Sequence, residues 1–125
     1  MSMFVTHKKF EVSLNELGFY YLHIFSNAEI TLEDVDLIIA AKKKLCGKQR
    51  PTLVVCDEFA STSAEVLNYI SKNNNFPYSI AGAYVLSSIA QKLMANFYLK
   101  FNVPERPTKF FTNKNDAIEW LKQYI

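Results

Sequence analysis

The sequence predicts a single α/β domain built on a mixed, mostly parallel sheet. Two apolar runs, residues 53–56 and 80–86, are typical of strands covered on both faces. Upstream, residues 10–14 alternate apolar and polar side chains, and residues 19–25 are rich in aromatic and β-branched ones. A hairpin followed by strands that alternate with helices gives the order ββαβαβαβα, and right-handed crossovers then make the sheet largely parallel.

The first two strands are predicted to form an antiparallel hairpin. Residues 15–18 (Asn-Glu-Leu-Gly) have turn composition, and residues 1–9 are expected to be a flexible or edge segment. Alternation along the second strand separates two sets of side chains, Tyr20, Leu22 and Ile24 on one face and Phe19, Tyr21 and His23 on the other. Both sets are apolar enough that we expect each face of this strand to be covered, by the protein itself or by a partner.

A helix is predicted over residues 31–45. Acidic residues crowd its first turns and lysines 42–44 its last, so both ends complement the helix dipole, and Gly47 is a typical C-terminal cap. The basic run continues to Arg50, and nucleic-acid binding is an alternative interpretation of it. We favour dipole compensation and solvation, because a net charge of +2 is too small to indicate a nucleic-acid or membrane surface.

The other elements follow in chain order. Their predicted bounds are a central strand over residues 52–57, a helix over 62–72, a strand over 80–86, a helix from Ser88 to residue 101 or 102, a short strand over 108–111, and a final helix capped by Thr112 or Asn113. Residues 62–65 and 88–91 both have capping-box spacing, which favours a helix start at each.

Composition indicates an ordinary globular chain. Half of its residues are hydrophobic and 21% are charged, and 125 residues are enough to bury a core. No apolar run approaches the roughly 20 residues that span a bilayer, and the N-terminal stretch lacks a secretory pattern. The two cysteines, Cys46 and Cys56, fit a reducing compartment better than a disulfide framework. We therefore expect a cytoplasmic protein whose single domain spans residues 1–125.

The C-terminal third carries a family resemblance. Its segments are residues 85–88 (VLSS), 96–97 (NF), 107–112 (PTKFFT) and 117–121 (AIEWL). With the hairpin start, the central strand ending at Asp57 and the hydroxyl run 61–63, the pattern resembles the STAS family, the fold of anti-sigma-factor antagonists, and in particular small uncharacterised bacterial members. The resemblance covers residues 10–125. It implies a SpoIIAA-like fold and carries over no specific activity.

The regulatory site of that family is an Asp-Ser-Ser/Thr-Gly run after the central strand, whose second hydroxyl residue accepts phosphate. By the resemblance, this chain places Ser61 at the acidic position, Thr62 at the first hydroxyl, Ser63 at the phosphoacceptor and Ala64 at the glycine. The acid and the glycine are thus replaced. We favour a capping role, in which Thr62 accepts from free amides and Glu65 reaches back, with phosphoregulation through Ser63 as the alternative.

Few residues suggest chemistry. Asp57 and Glu58 are the one carboxylate pair at the C-terminal end of a predicted strand, where α/β sheets place ligands, so they are a candidate ligand edge. A loop or helix-start role is the alternative, because no nucleophile or histidine is near them in sequence. His7 and His23 are too isolated for a metal site, which needs three or four converging ligands. We expect no catalytic residue, no metal and no cofactor.

The third predicted helix has more apolar surface than one sheet contact requires. Its polar side chains form a narrow stripe, which consists of Gln91, Lys92, Asn96 and Lys100. The excess apolar residues are Met94, Tyr98 and Leu99, and such an excess usually meets a partner or a second copy. We expect these three residues to form an interface.

Two functional hypotheses follow. The first is a non-enzymatic regulatory or protein-interaction module of STAS-like type, acting as a homodimer or with another protein, and not with nucleic acid. The second is a small-molecule binder for a lipid or nucleotide, since related folds enclose such ligands. Against the second, the chain is short and has no insertion that would enclose a cavity of ~300 Å³ or more, and neither glycine-rich phosphate-loop pattern occurs.

Overall fold

The computed structural model describes residues 4–125, so the first three residues of the expected flexible or edge segment lie outside the described residues. The strands are Phe4–Thr6 (β1), Phe10–Leu14 (β2), Tyr20–Ile24 (β3), Glu29–Ile30 (β4), Arg50–Cys56 (β5), Ser61–Thr62 (β6), Ser79–Val85 (β7) and Thr108–Phe111 (β8). The α-helices are Leu32–Leu45 (α1), Ala64–Ile70 (α2), Ile89–Phe101 (α3) and Lys114–Leu121 (α4). Along the described part of the chain, none of these helices has the length and apolar character that crossing a membrane requires.

Six strands form the main sheet in the order β1-β2-β3-β5-β7-β8. The first three are antiparallel neighbours, and β3, β5, β7 and β8 run parallel to one another. The predicted mixed α/β fold, its hairpin and the interior position of β5 are therefore confirmed. Strand β1 lies at the edge of the sheet, which is one of the two alternatives expected for residues 1–9. One feature was not predicted: β4 pairs in parallel with β6 as a separate two-stranded sheet. Both β4 and β6 have two residues, which is too short for a periodic pattern.

Helices cover the sheet on both faces. One apolar cluster joins β2, β3 and β5 to α1 and α2, through residues that include Val12, Leu22, Val54, Ile38 and Val66. The opposite cluster joins the sheet to α4, through residues that include Phe19, Leu53, Ala83, Ala117 and Leu121. The protein itself thus covers both predicted faces of the second strand, although Tyr21, His23 and Ile24 are only partly buried.

The ends of α1 form as the sequence predicts. The Thr31 hydroxyl accepts a hydrogen bond from the amide of Asp34, and the Asp34 carboxylate accepts one from the amide of Thr31 at 2.9 Å. Burial alone would raise the pKa of Asp34, but hydrogen bonds from Lys9 and Thr31 outweigh it and lower that pKa. At the other end, Gly47 has a φ of 68° and its amide donates to the carbonyl of Lys42.

The start of α2 differs from the prediction. The helix begins at Ala64, and its N-cap is Ser63, whose hydroxyl accepts from the amide of Val66 at 3.2 Å. Capping by Thr62 is wrong, because Thr62 belongs to β6 and its hydroxyl donates to the carbonyl of Ile30 at 2.8 Å. Pairing with β4 holds this backbone extended, so the helix starts later than its capping-box pattern suggested.

Lys42 also departs from its predicted solvated role. Its side chain is 0% exposed, and Nζ donates to the Thr52 hydroxyl at 2.9 Å and lies 4.2 Å from the ring centroid of Phe76. None of the ion pairs within residues 4–125 includes it. Burial, and secondarily the charge of Arg106, lowers the pKa of Lys42 well below 10.5. The folded state thus holds a cation-forming group in an apolar layer without a carboxylate.

Replacing Lys42 with methionine should stabilise the fold. Lys42→Met keeps the side-chain volume and leaves the Thr52 and Ser79 hydroxyls bonded to each other at 3.0 Å. We expect the free energy of unfolding at pH 7 to rise by about 1 kcal/mol or more. In the wild type the unfolded chain binds the Lys42 proton more tightly, so stability rises with pH until the unfolded pKa near 10.5 is reached.

Urea unfolding at several pH values tests this expectation. The difference in the free energy of unfolding between Lys42→Met and the wild type should become smaller as the pH approaches 10.5. Lys43→Met is the matched control, because Lys43 is exposed on the same helix turn. A Lys42→Met protein that is less stable than the wild type would show that the buried amine contributes more than its desolvation costs.

Candidate functional site

A cavity of about 400 Å³ lies between one face of the sheet and helices α1, α2 and α3. Its lining is mostly aliphatic and aromatic, and contains no aspartate, glutamate, lysine, arginine or histidine. The expectation that so short a chain encloses no cavity of this size is wrong. The reason lies in α3, which faces the cavity with small side chains such as Ala90 and Ala95 and leaves the space between helix and sheet unfilled.

The cavity has an open end and an inner end. Its exposed lining residues are Phe59, Ser61, Ala90 and Met94, which follow the carboxyl end of β5 or belong to the first half of α3. Its deeply buried lining residues include Phe76 and Tyr98. The opening therefore lies at the edge of the sheet where the parallel strands end, the usual ligand edge of α/β proteins.

The loop at the opening is held in a strained conformation. Phe59 has a φ of 63° and is 70% exposed, an unfavourable setting for a large aromatic residue. The Gln91 side chain fixes this loop, because its Nε2 donates to the carbonyls of Asp57 at 2.9 Å and Ala60 at 3.0 Å. Its Oε1 accepts from the amide of Ser87 at 2.7 Å. Gln91 thus ties the opening loop to α3 rather than closing the capping box that the sequence suggested.

The predicted ligand edge lies beside the cavity but does not line it. The Asp57 carboxylate is 2.9 Å from Nε2 of His23, on the sheet face that α4 covers. His23 also packs edge-on against Phe25, with ring centroids 5.0 Å apart. Neither Asp57 nor Glu58 is among the lining residues. Within residues 4–125, no three His, Cys, Asp or Glu side chains converge as metal ligands would.

The predicted interface on α3 needs correction at Tyr98. This residue is 3% exposed and lines the cavity, so it is unavailable to a partner on the surface. Met94 lines the cavity as well and is partly exposed, as is Leu99. A different set of side chains forms what we call the outer face of α3, namely Ile89, Leu93, Phe97 and Phe101, each more than half exposed. The predicted apolar excess exists, but most of it lies on this face.

Ser63, the last residue of the hydroxyl run, lies at an acidic cleft. Ser61 and Ser63 are exposed, and Ser63 shares a shallow surface cleft with Glu29, Glu33 and Glu65. A phosphate at Ser63 would add charge to a site already lined by three carboxylates, which disfavours phosphorylation electrostatically. We therefore expect that Ser63 is not a phosphorylation switch, and this preference for capping over phosphoregulation stays a prediction, now with a second physical reason.

The two cysteines are free and have different surroundings. Burial, with a smaller contribution from the Asp57 charge, raises the pKa of Cys56 to about 12, so this cavity-lining thiol stays protonated and unreactive. For Cys46, burial would raise the pKa, but hydrogen bonds from Lys48 and Arg50 outweigh it and lower the pKa. Within residues 4–125, neither thiol is hydrogen-bonded to a histidine that could act as its base.

Sequence reasoning missed the cavity and most of the residues that line it. Met94, Tyr98 and Gln91 were singled out on the third helix for other roles, whereas Ala95, Tyr84 and, behind the lining, Arg106 were not singled out at all. The wide apolar arc of α3 was the one indication available. A pattern of this kind shows that a surface is apolar, but not whether the space opposite it is filled.

Comparisons with known proteins identify a family for the chain but no activity. Residues 14–125 match the family model of a domain of unknown function, DUF7793. The DNA ligase of Borrelia garinii subsp. bavariensis is 42% identical over 66 residues, which are 50% of this chain and 10% of the ligase, so the chain spans a small part of that relative.

A solved structure supports the fold. An uncharacterised protein of the DUF3478 family from Shewanella loihica PV-4, which has a SpoIIAA-like fold, superposes with a TM-score of 0.52 at 16% sequence identity. The superposition covers 97% of this chain and 92% of that protein. The STAS-like fold implied by the C-terminal third is thereby confirmed as a fold.

Substitutions at Ser63 distinguish the stability that its helix cap contributes from the effect of a negative charge at this position. Ser63→Ala should lower the free energy of unfolding by about 1 kcal/mol through the lost cap, whereas Ser63→Asn should stay within a few tenths because asparagine caps equally well. Ser63→Asp keeps the cap but adds a charge beside three glutamates. We expect it to be less stable than the asparagine variant, by a margin that shrinks at high salt in urea unfolding. An aspartate variant at least as stable as the asparagine variant would indicate that the cleft tolerates phosphate.

Proposed function

We propose that this chain, which belongs to the DUF7793 family of domains of unknown function, is a non-enzymatic module that binds an apolar small molecule. The observation that carries the proposal is the cavity of about 400 Å³ beneath α3, lined almost entirely by apolar side chains. In this proposal residues 1–125 act as one domain. The two separate free cysteines support a reducing, cytoplasmic setting.

The physical case rests on how the cavity is lined. Its volume falls in the range of small-molecule sites, roughly 300–1,000 Å³. Side chains such as Leu22, Val54 and Ile38 offer water no hydrogen bonds, and an apolar ligand would gain both contact with them and removal from water. Each Å² of apolar surface that the ligand buries contributes about 25 cal/mol.

Other ligand classes suit the cavity less well. A nucleotide needs cations or a row of amides for its phosphates, and the lining offers no charged side chain. The likeness to a DNA ligase covers a tenth of that enzyme, so we propose no DNA-joining activity. Catalysis at the cavity has no support either. Cys56 is the one cysteine in the lining, and burial raises the pKa of its thiol to about 12.

The route into the cavity follows from its opening. Phe59 stands exposed at that end, and Gln91 joins its loop to the first turn of α3. Only Ala95 and Tyr98 of α3 are buried, so this helix is held to the body of the protein by few side chains. We propose that a ligand enters between the Phe59 loop and the first half of α3.

Filling the cavity should abolish ligand binding. Ala95→Phe places a phenyl group in the cavity, and we expect it to weaken binding of the neutral apolar dye Nile red about tenfold or more, because the added ring occupies the ligand's volume. Fluorescence titration measures this, and bound dye should also raise the midpoint of thermal unfolding of the wild type.

Asn96→Phe is the matched control, since it adds the same ring to the exposed neighbouring position. Cys56→Leu fills the cavity from the sheet side and repeats the test if Ala95→Phe folds poorly. Unchanged dye binding in both cavity variants would show that the dye binds elsewhere and would remove the support for this function.

The outer face of α3 favours a second candidate function, a protein-interaction module. Its four apolar residues recur every fourth position along a helix of 13 residues, which is about 20 Å of continuous surface. A second copy of the chain is the occupant we propose, because an isologous two-fold contact is the commonest way to bury such a stripe. This candidate keeps the STAS-like regulatory role and uses a surface separate from the cavity.

Charges on the outer face should separate the copies. Leu93→Glu and Phe97→Glu are both expected to yield folded monomers from a wild-type dimer, since the two positions are exposed and apolar. Light scattering over a range of concentrations measures the mass, and Asn96→Glu adds the same charge at a polar position as the control. A wild-type protein that stays monomeric at high concentration would contradict the interface.

A further inference from the structure

The inner end of the cavity is lined by aromatic rings, two of which carry hydroxyl groups. Tyr84 and Phe110 have ring centroids 5.3 Å apart, and Tyr98 meets Phe110 edge-on at 6.5 Å. Phe76 completes this group, and all four residues line the cavity. We call these four residues the inner end. The two tyrosines make it more polar than the aliphatic walls toward the opening.

A buried arginine lies directly behind the inner end. Arg106 is 6% exposed, and its guanidinium carbon is 5.1 Å from the ring centroid of Phe76. Its Nη1 donates to Oδ1 of Asn73 at 3.1 Å, and its Nη2 donates to the carbonyl of Ile70, another cavity residue. These acceptors are neutral. They hold the guanidinium beside the cavity. Because they are neutral, they do not balance its positive charge.

The charge of Arg106 is not balanced within the described part of the chain. No ion pair of residues 4–125 includes it, although an arginine stays ionised at any physiological pH. The other ionisable side chain close to the Phe76 ring is Lys42, a basic group that cannot balance the charge of Arg106. A buried cation without an anion is costly, because the protein interior screens and solvates it poorly. The inner end of the cavity is therefore a place of positive potential.

The two tyrosines can add hydrogen bonds to that charge. Burial raises the pKa of Tyr84, with a smaller opposing effect from the nearby positive charge of Arg106. Burial also raises the pKa of Tyr98. Both hydroxyls thus stay protonated and are able to donate to an anion.

We infer that the cavity binds a single-chain carboxylate, with its carboxylate at the inner end beside Arg106 and Tyr84 and its hydrocarbon tail directed toward Phe59. This inference rests on the proposed small-molecule function and adds the charge class and the orientation of the ligand. Arg106 is not itself a lining residue, so its charge attracts the carboxylate from behind the aromatic rings, and this attraction is stronger where water is excluded.

The charge count selects a carboxylate over other head groups. One guanidinium balances one negative charge, whereas a phosphate carries more charge than the inner end offsets, because the lowered pKa of Lys42 leaves that amine less readily protonated. A neutral alcohol would fill the same walls but leave Arg106 unbalanced. The aliphatic walls toward the opening suit an unbranched tail, since they offer contacts and no hydrogen-bond partners.

Calorimetric titration of decanoate and 1-decanol tests the inference, because the two probes share a chain and differ in the head group. We expect the wild type to bind decanoate about tenfold or more tightly than decanol, as a charge-assisted hydrogen bond would provide. Arg106→Gln should reduce this preference to near unity while decanol affinity changes little. Lys100→Gln, at an exposed cation on α3, is the control and should keep the preference.

Tyr84→Phe removes a single hydroxyl and gives an independent test if Arg106→Gln fails to fold. It should weaken decanoate binding several-fold and leave decanol binding unchanged. Decanoate labelled with ¹³C at its carboxyl group reports the orientation, because the bound carboxylate should stay ionised to lower pH than the free acid when it lies beside Arg106.

The outcomes separate the two proposals. Equal affinities for decanoate and decanol, or a decanoate preference that survives both Arg106→Gln and Tyr84→Phe, would overturn the carboxylate assignment and leave the apolar cavity as a binding site. Failure of Nile red, decanoate and decanol alike to bind would overturn the proposed function itself.

Discussion

The fold depends on burying both faces of β5. This strand lies between β3 and β7, and its residues Leu53 and Val54 point to opposite faces, where each is almost fully buried. Full burial of such side chains contributes about 1.5–3 kcal/mol each. Since the residues alternate between the faces, two separate helical layers have to cover the strand, and every other element is placed by that requirement.

The two layers meet the requirement in different ways. Beneath α4, small residues of the sheet such as Ala81 and Ala83 are fully buried together with Ala117. On the opposite face, α1 and α2 pack their branched side chains onto the sheet, but α3 contributes mainly Ala95 and Tyr98. The cavity is the result of this difference. A layer that covers the sheet without filling the space against it leaves a cavity without any insertion in the chain.

Buried cationic groups distinguish this layer further. Lys42 and Arg106 lie near the same Phe76 ring, with Nζ and Cζ 4.2 and 5.1 Å from its centroid. Neither has a carboxylate partner among the ion pairs of residues 4–125. Such groups lower the stability of the empty protein, and a bound anion would offset part of that cost. Under the proposed function, the charge of Arg106 behind the cavity would link the stability of the fold to the charge of the ligand.

The sequence by itself determined the elements and their class. Alternation in residues 10–14, the apolar run at 53–56 and the caps Thr31, Ser88 and Asn113 are local features, and each forms as the pattern predicts. Local features act over one turn or one strand, so their energies hardly depend on distant residues. The C-terminal third also carried the resemblance that the structure confirms as a SpoIIAA-like fold.

Tertiary structure decided everything that depends on distance between elements. The pairing of β4 with β6 moved the cap of α2 from Thr62 to Ser63, and the depth of the α1 layer buried Lys42 in spite of its place in a lysine run. The position of Tyr98, which faces the cavity rather than a partner, also depends on the distance between elements. Periodicity identifies which side chains share a face, but the gap between two faces depends on the volumes of residues far apart in the chain, and that gap is the candidate site.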